Sequence, residues 1–257
     1  MTITTKIQKN ILLYFLSILI VTIPFWILGS VTKIHGLPFG MQLNVLIVLA
    51  IPVVTAYFIV NTYGWAGLKQ ALHNMLPGRV RYQDALIAFL TMPLVAIITF
   101  LVLRTSVPFD GWSISLGILP LYFVVYYIAA ACEEIGWAWY ATPLIARRQS
   151  VLLTGIIIGI IWSLVHTWPW YQQAGLWFMV GMIIMTIINR LIMTWLYLKR
   201  GNSLWLVIVY HAMINTTFTV FYNNSPYASP FIYSVILVAL MATALMAQKI
   251  IKSKSLS

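Results

Sequence analysis

Only four acidic residues occur in this 257-residue chain, and two of them, Glu133 and Glu134, are adjacent and stand inside an apolar run. An ionised carboxylate at the centre of a membrane span costs on the order of 3 kcal/mol on insertion scales, and such a cost is seldom kept without a use. Two of the four histidines, His166 and His211, also fall within apolar runs, whereas His35 and His73 fall in polar gaps. Counting inward at ~1.5 Å per residue puts Glu133, His166 and His211 roughly 12–22 Å deep, so all three can meet in one central cavity. His211 and Asn215 are four residues apart and project from one helix face, as do Trp162 and His166.

Such a set has definite chemistry. A buried carboxylate can take a proton from water, an imidazole can hold or relay that water, and His with Asn can donate hydrogen bonds to a developing oxyanion. This describes a hydrolytic site without a side-chain nucleophile. One Glu and two His plus water is also an open zinc coordination set, with Glu133, His166 and His211 as ligands. Transporters place Glu and His in spans too, so a proton or ion pathway is a third reading. A lone membrane His or Asn is often no more than an interhelical hydrogen bond worth ~0.6 kcal/mol. Four polar groups on three spans are harder to account for in that way.

The elements that must position these groups are membrane helices. The chain is 62% hydrophobic and 7% charged, against roughly 25% charged in a soluble globular protein. Apolar runs near the ~20 residues that cross a bilayer occur at 11–29, 43–62, 85–103, 115–142, 151–170, 174–198, 203–222 and 230–248. The expectation is an all-α polytopic protein of about eight transmembrane helices, forming one membrane domain over 1–257. Lys6 and Lys9 precede the first run as in a signal peptide, but the run is as long as a full span and lacks a small-x-small cleavage site. It is read as the first helix.

Charge sets the expected orientation. Lys6, Lys9, Lys69, Arg79, Arg81, Arg147, Arg148, Lys199, Arg200, Lys249, Lys252 and Lys254 fall on one side of the alternating spans; only Lys33 and Arg104 fall on the other. The positive-inside tendency then puts both termini in the cytoplasm. A net charge of +11 on so apolar a chain fits anionic lipid, and no soluble face is long enough to carry a nucleic-acid site. The lone Cys132 excludes an intrachain disulfide and reads as an apolar filler. The WPWY at 168–171 reads as interface anchors on the outer side. In the same span Gly155 and Gly159 form a small-xxx-small pair whose face lets a neighbouring helix approach closely and carries Trp162 and His166.

Taken in order, EEIGWAWYATP at 133–143, WSLVH at 162–166 and HAMIN at 211–215 resemble the three motifs of the CAAX protease and bacteriocin-processing (CPBP, or Abi) family of intramembrane proteases. That family's pattern is EExxxR, then an aromatic with His four residues on, then HxxxN, and it includes type II CAAX prenyl proteases. The likeness covers roughly 115–222. It implies that Glu133 activates water, that His166 assists, and that His211 with Asn215 polarises the scissile carbonyl, with Glu134 as the second motif carboxylate. The family has been described both as metalloproteases and as glutamate-dependent proteases. With no HExxH in the chain, the expectation leans to water activation by Glu133 with no required cofactor, a zinc-type ion being the alternative. The implied substrates are prenylated CAAX proteins, peptides or bacteriocins, cleaved in or next to a bacterial cell membrane.

One position departs from the pattern. The motif Arg falls at Ala138, so Glu134 lacks its i,i+4 counter-ion. Either Glu134 is held protonated or another cation takes the Arg's place; Arg190, the only Arg deep within a span, is the candidate partner, the alternative being that it snorkels or pairs elsewhere. Restoring the motif by Ala138→Arg is then expected to be tolerated if Glu134 points where the family places it. The lost Arg is also the main support for a rival reading, a non-proteolytic protein of bacteriocin immunity or scaffolding. Trp162 stands where Phe is commoner; Trp137 and Trp139 either line the cavity or, on the plainer reading, pack or face lipid.

Overall fold

The computed structural model describes residues 3–31, 46–221 and 225–254, and the regular structure in them is helical throughout. In chain order the helices are α1 (Ile3–Val31), α2 (Ile47–His73), α3 (Tyr82–Leu103) and α4 (Leu119–Glu134). A π-helical segment (Ile135–Ala141) then leads into the short α5 (Thr142–Ala146). There follow α6 (Val151–Lys199), α7 (Leu204–Phe218) and α8 (Pro230–Lys254). Lys33 and His35 lie outside the described residues, as do the side chains of Lys6, Lys9, Lys249, Lys252 and Lys254.

Five stretches are long and apolar enough to cross a bilayer, and α7 and the apolar part of α8 are shorter. One of the five, α6, has 49 residues and would run about 74 Å if straight, more than twice a ~30 Å hydrocarbon core. It breaks at Ala174 (φ −151°) and at Gly175, whose φ of +79° suits a residue without a Cβ. The chain doubles back there: a Cβ on Gly155 would lie 3.1 Å from the Cα of Leu191, and one on Gly159 would lie 2.9 Å from the Cα of Ile187. The two limbs of α6, 151–173 and 176–199, are therefore antiparallel spans in contact along the small-residue face. Counted so, each of the eight apolar runs coincides with a helix or a limb, and the chain is an all-α, multi-pass membrane protein.

Helix starts and stops follow local chemistry. The Ser150 hydroxyl accepts from the Leu153 amide to cap α6, and Ser203 caps α7 through the Leu206 amide. Helix α2 does not end with its apolar run: it kinks at Gly64 (φ +70°) and continues to His73. His73 thus closes a helix and does not sit in a loop.

Packing centres on α7, which lies against α3 and α4, while α8 covers α6 and α3, and α1 and α2 flank the π segment. Only 15 residues long, α7 spans about 22 Å, and nearly all of it is buried. Beyond its end, Ser113 bonds to the backbone of Thr219 and Val220, and Tyr126 bonds to the Thr219 hydroxyl at 2.9 Å. A cluster of Phe100, Phe109, Trp112, Phe221 and Tyr227 closes that end of the bundle.

Candidate active site

Glu133 and Glu134 end α4, and adjacent helical residues point about 100° apart, so the two carboxylates serve different partners. Glu134 is fully buried and is gripped in parallel by Arg190, whose two terminal nitrogens donate at 2.7 and 2.9 Å. Its Oε1 also lies 2.9 Å from Nδ1 of His211. Arg190, itself 1% exposed, comes from the second limb of α6 and fills the charge that Ala138 leaves out. The candidate pairing of Arg190 with Glu134 is therefore present.

Small residues make that pairing geometrically available. On Gly159 a Cβ would press on both the Cα of Ile187 and, at 3.3 Å, the Cβ of Arg190. Without one, the second limb closes in far enough for the guanidinium to reach across the first limb to α4. Tyr210 of α7 fixes the same limb by donating to Asn189 at 2.8 Å.

Glu133, 4% exposed, has a different environment. Its Oε2 accepts from the Trp162 indole at 2.9 Å and more weakly from the Trp137 indole at 3.4 Å. Both donors converge on one oxygen, which leaves Oε1 with its lone pairs free of those bonds. Trp162 also touches Arg190, His211 and His166. Arg190 lies over its ring at 4.1 Å, His211 meets its ring edge to face at 4.8 Å, and its carbonyl is 3.0 Å from His166 Nδ1.

The π segment starts immediately after the two carboxylates. Pro143 lacks an N–H and its ring would press on the carbonyl four residues back; a wider preceding turn relieves that contact. The Thr142 hydroxyl closes the turn on the Trp137 carbonyl at 2.8 Å. Gly136 permits α1 and α2 to approach, because a Cβ there would collide with the Tyr14 hydroxyl and the Thr55 side chain, which bond each other at 3.2 Å. Trp137 is locked between Tyr14 and Phe15, so its indole is held toward Glu133.

The structure thus gathers Glu133, Glu134 and His211 around Trp162, with His166 one turn further along the first limb of α6. His166 is half-buried, stacks on Trp170 at 5.4 Å, and has no direct bond to Glu133 or His211 among the described residues. Asn215 sits one turn beyond His211 on α7, half-buried, its carboxamide without a hydrogen bond among the described residues. Both Nδ1 atoms are engaged, so each imidazole has Nε2 to offer a substrate or water. Glu133, His166 and His211 were the alternative zinc ligands. Among the described residues no three His, Cys, Asp or Glu side chains form a group that fits a metal ion.

Sequence reasoning favoured packing for Trp137 and treated Trp162 as a neighbour of His166; both are hydrogen-bond donors to the carboxylate. A signal was available, since Trp137 follows Glu133 by four residues and a buried indole N–H needs an acceptor. Cys132 is half-buried beside Glu133 and bonds to nothing in the site.

Comparison with known proteins points the same way. Residues 115–217 match the family model described as Type II CAAX prenyl endopeptidase Rce1-like. That region contains α4, the π segment, both limbs of α6 and almost all of α7, hence every residue of the site. The chain is also 28% identical, over 235 residues covering 81% of it and 83% of the relative, to CAAX prenyl protease 2 of Methanococcus maripaludis. Peptidases thus stand on both sides of the comparison, and over the helices that carry the site the chain is similar to type II CAAX prenyl proteases.

Proposed function

We propose that the chain is an intramembrane endopeptidase that hydrolyses a peptide bond in or next to the bilayer, with a prenylated CAAX-type C-terminus as its substrate class. The observation that carries the mechanism is the double indole clamp on Glu133 Oε2. It leaves Oε1 to take a proton from a water while the water oxygen bonds to the scissile carbonyl carbon. His166, its Nδ1 turned to the Trp162 carbonyl, holds that water through Nε2.

As the carbonyl becomes an oxyanion, His211 and Asn215 donate to it. Glu134, in contact with His211 Nδ1, orients the imidazole so that Nε2 faces the carbonyl, and Arg190 balances the charge of Glu134. Collapse breaks the C–N bond and returns the proton from Glu133 to the leaving amine, so the carboxylate is regenerated. No metal enters this sequence. Both termini lie in the cytoplasm of a bacterial cell on this reading, with the Lys- and Arg-rich helix ends facing the inner leaflet.

The test compares protein and peptide termini in cells making the wild-type chain or Glu133→Gln at equal level. Termini that depend on Glu133, with the variant still folded and inserted, are expected. Identical termini while the chain still produces a phenotype would transfer it to the non-proteolytic reading, in immunity or scaffolding. A requirement for an ion gradient with no altered peptide would make it a transporter.

A further inference from the structure

A groove of about 490 Å³ runs along the outside of the bundle between α3, α8 and both limbs of α6, separate from the site around Glu133. Leu191 and Trp195 form one wall, and Leu237, Met241 and Leu245, at helical spacing, form the other. Residues 237–245 and 191–200 each rise about 12–14 Å, close to the depth of one leaflet of a ~30 Å core. Apart from Thr91, whose hydroxyl is turned to the Ile87 carbonyl, the lining is apolar up to Arg200, its one charged residue.

Arg200 is fixed and only partly neutralised. Its guanidinium lies over the Trp195 ring at 4.4 Å and its Nε is 3.4 Å from Asp84, without a hydrogen-bond acceptor among the described residues. Asp84, 2% exposed, is already held through both oxygens by Arg81 at 2.8 and 3.1 Å. Two cations share one carboxylate, which leaves a positive charge at the mouth of an apolar channel. The start of α6, at Val151 and Leu152, borders the same mouth, and Arg147 and Arg148 are exposed just before it.

We propose that this groove is a binding site for an anionic phospholipid, one acyl chain lying between α6 and α8 and the phosphate meeting Arg200. Charge and shape both select that ligand: an apolar channel one leaflet deep takes a single chain, and a surplus guanidinium at its interfacial end takes a phosphate. A zwitterionic lipid fills the channel too, but its quaternary ammonium offsets its phosphate, so it gains less from the surplus charge.

Native mass spectrometry of the full chain, released from nanodiscs of equal phosphatidylglycerol and phosphatidylcholine with matched tails, tests this. About fivefold preferential retention of phosphatidylglycerol is expected, the ratio set by about 1 kcal/mol for one basic residue at the surface. Arg200→Gln should bring the ratio to about one, Arg200→Lys should keep most of it, and Arg104→Gln at the opposite end of α3 should leave it unchanged. Ala244→Trp, on the exposed side of α8, fills the channel without touching the charge and should reduce retention of both lipids. A ratio near one in the wild type, a ratio unmoved by Arg200→Gln, or undiminished retention in Ala244→Trp each overturns the site. Displacement by glycerol phosphate would assign a tail-independent anion site instead, and displacement by a farnesylated peptide would assign the groove to substrate.

Discussion

Glu134 has one counter-ion, and moving that counter-ion tests the core of the site. Arg190→Gln leaves a fully buried carboxylate with His211 alone, and removing one partner of a buried pair costs about 3–5 kcal/mol. Ala138→Arg, the change that restores the family motif, is tolerated when judged from the motif alone, but the structure reverses that expectation. Ala138 is 2% exposed, so the longer chain displaces neighbours at about 1–3 kcal/mol, and its charge arrives beside a carboxylate that Arg190 already saturates. In the double variant Ala138→Arg/Arg190→Gln the new guanidinium, four residues after Glu134, replaces the lost one. The double should then be more stable than the sum of the singles by about 2–3 kcal/mol, the size of a coupling between residues sharing one partner. The assay is reversible unfolding in mixed micelles followed by circular dichroism, with all four proteins in one cycle. Strict additivity, or an Ala138→Arg single variant as stable as wild type, would refute the reasoning that one buried carboxylate accepts one guanidinium here.

Three further outcomes follow from particular contacts. Trp162→Phe keeps the ring but removes the 2.9 Å donor to Glu133; a bond to a charged group is worth about 1.5–3 kcal/mol, so kcat should fall roughly 10- to 100-fold with KM little changed. Trp137→Phe, losing a bond of 3.4 Å, should lose less, and equal losses in the two variants would count against the clamp. Gly159→Ala forces the limbs of α6 apart at Ile187 and Arg190 and should destabilise by roughly 1–3 kcal/mol in the same unfolding assay, whereas wild-type stability would mean that the limbs have slack. Prolonged dialysis of the purified protein against a strong chelator should leave peptide cleavage within twofold; loss of activity restored by zinc would replace the water-activation scheme with a metal one.

Much of this protein is legible before folding. Hydropathy alone sets where the helices lie, because a bilayer demands about 20 apolar residues per crossing and punishes every charge left inside. That same penalty makes Glu133, Glu134, His166, Arg190 and His211 conspicuous: each is costly, and together they leave few reasons for being there. What hydropathy does not reveal is which costly residue meets which. The break at Gly175 falls between the apolar runs 151–170 and 174–198 that hydropathy already separates, but only the return of the second limb brings Arg190 opposite Glu134, 56 positions away.

The sequence by itself, then, determines the membrane class, the place of each span along the chain, and the chemical inventory of the site, since these follow from local composition and from spacing along single helices. Tertiary structure alone decides the contacts: the two-nitrogen grip of Arg190 on Glu134, for which the sequence offered only a candidate, Trp162 and Trp137 on one oxygen of Glu133, and the surplus charge of Arg200 at the groove. The physical reason is that a hydrogen bond depends on distances of about 3 Å between atoms on different helices. Those distances are set by close approach at Gly155, Gly159 and Gly136, where a missing Cβ matters more than any side chain the one-dimensional pattern displays.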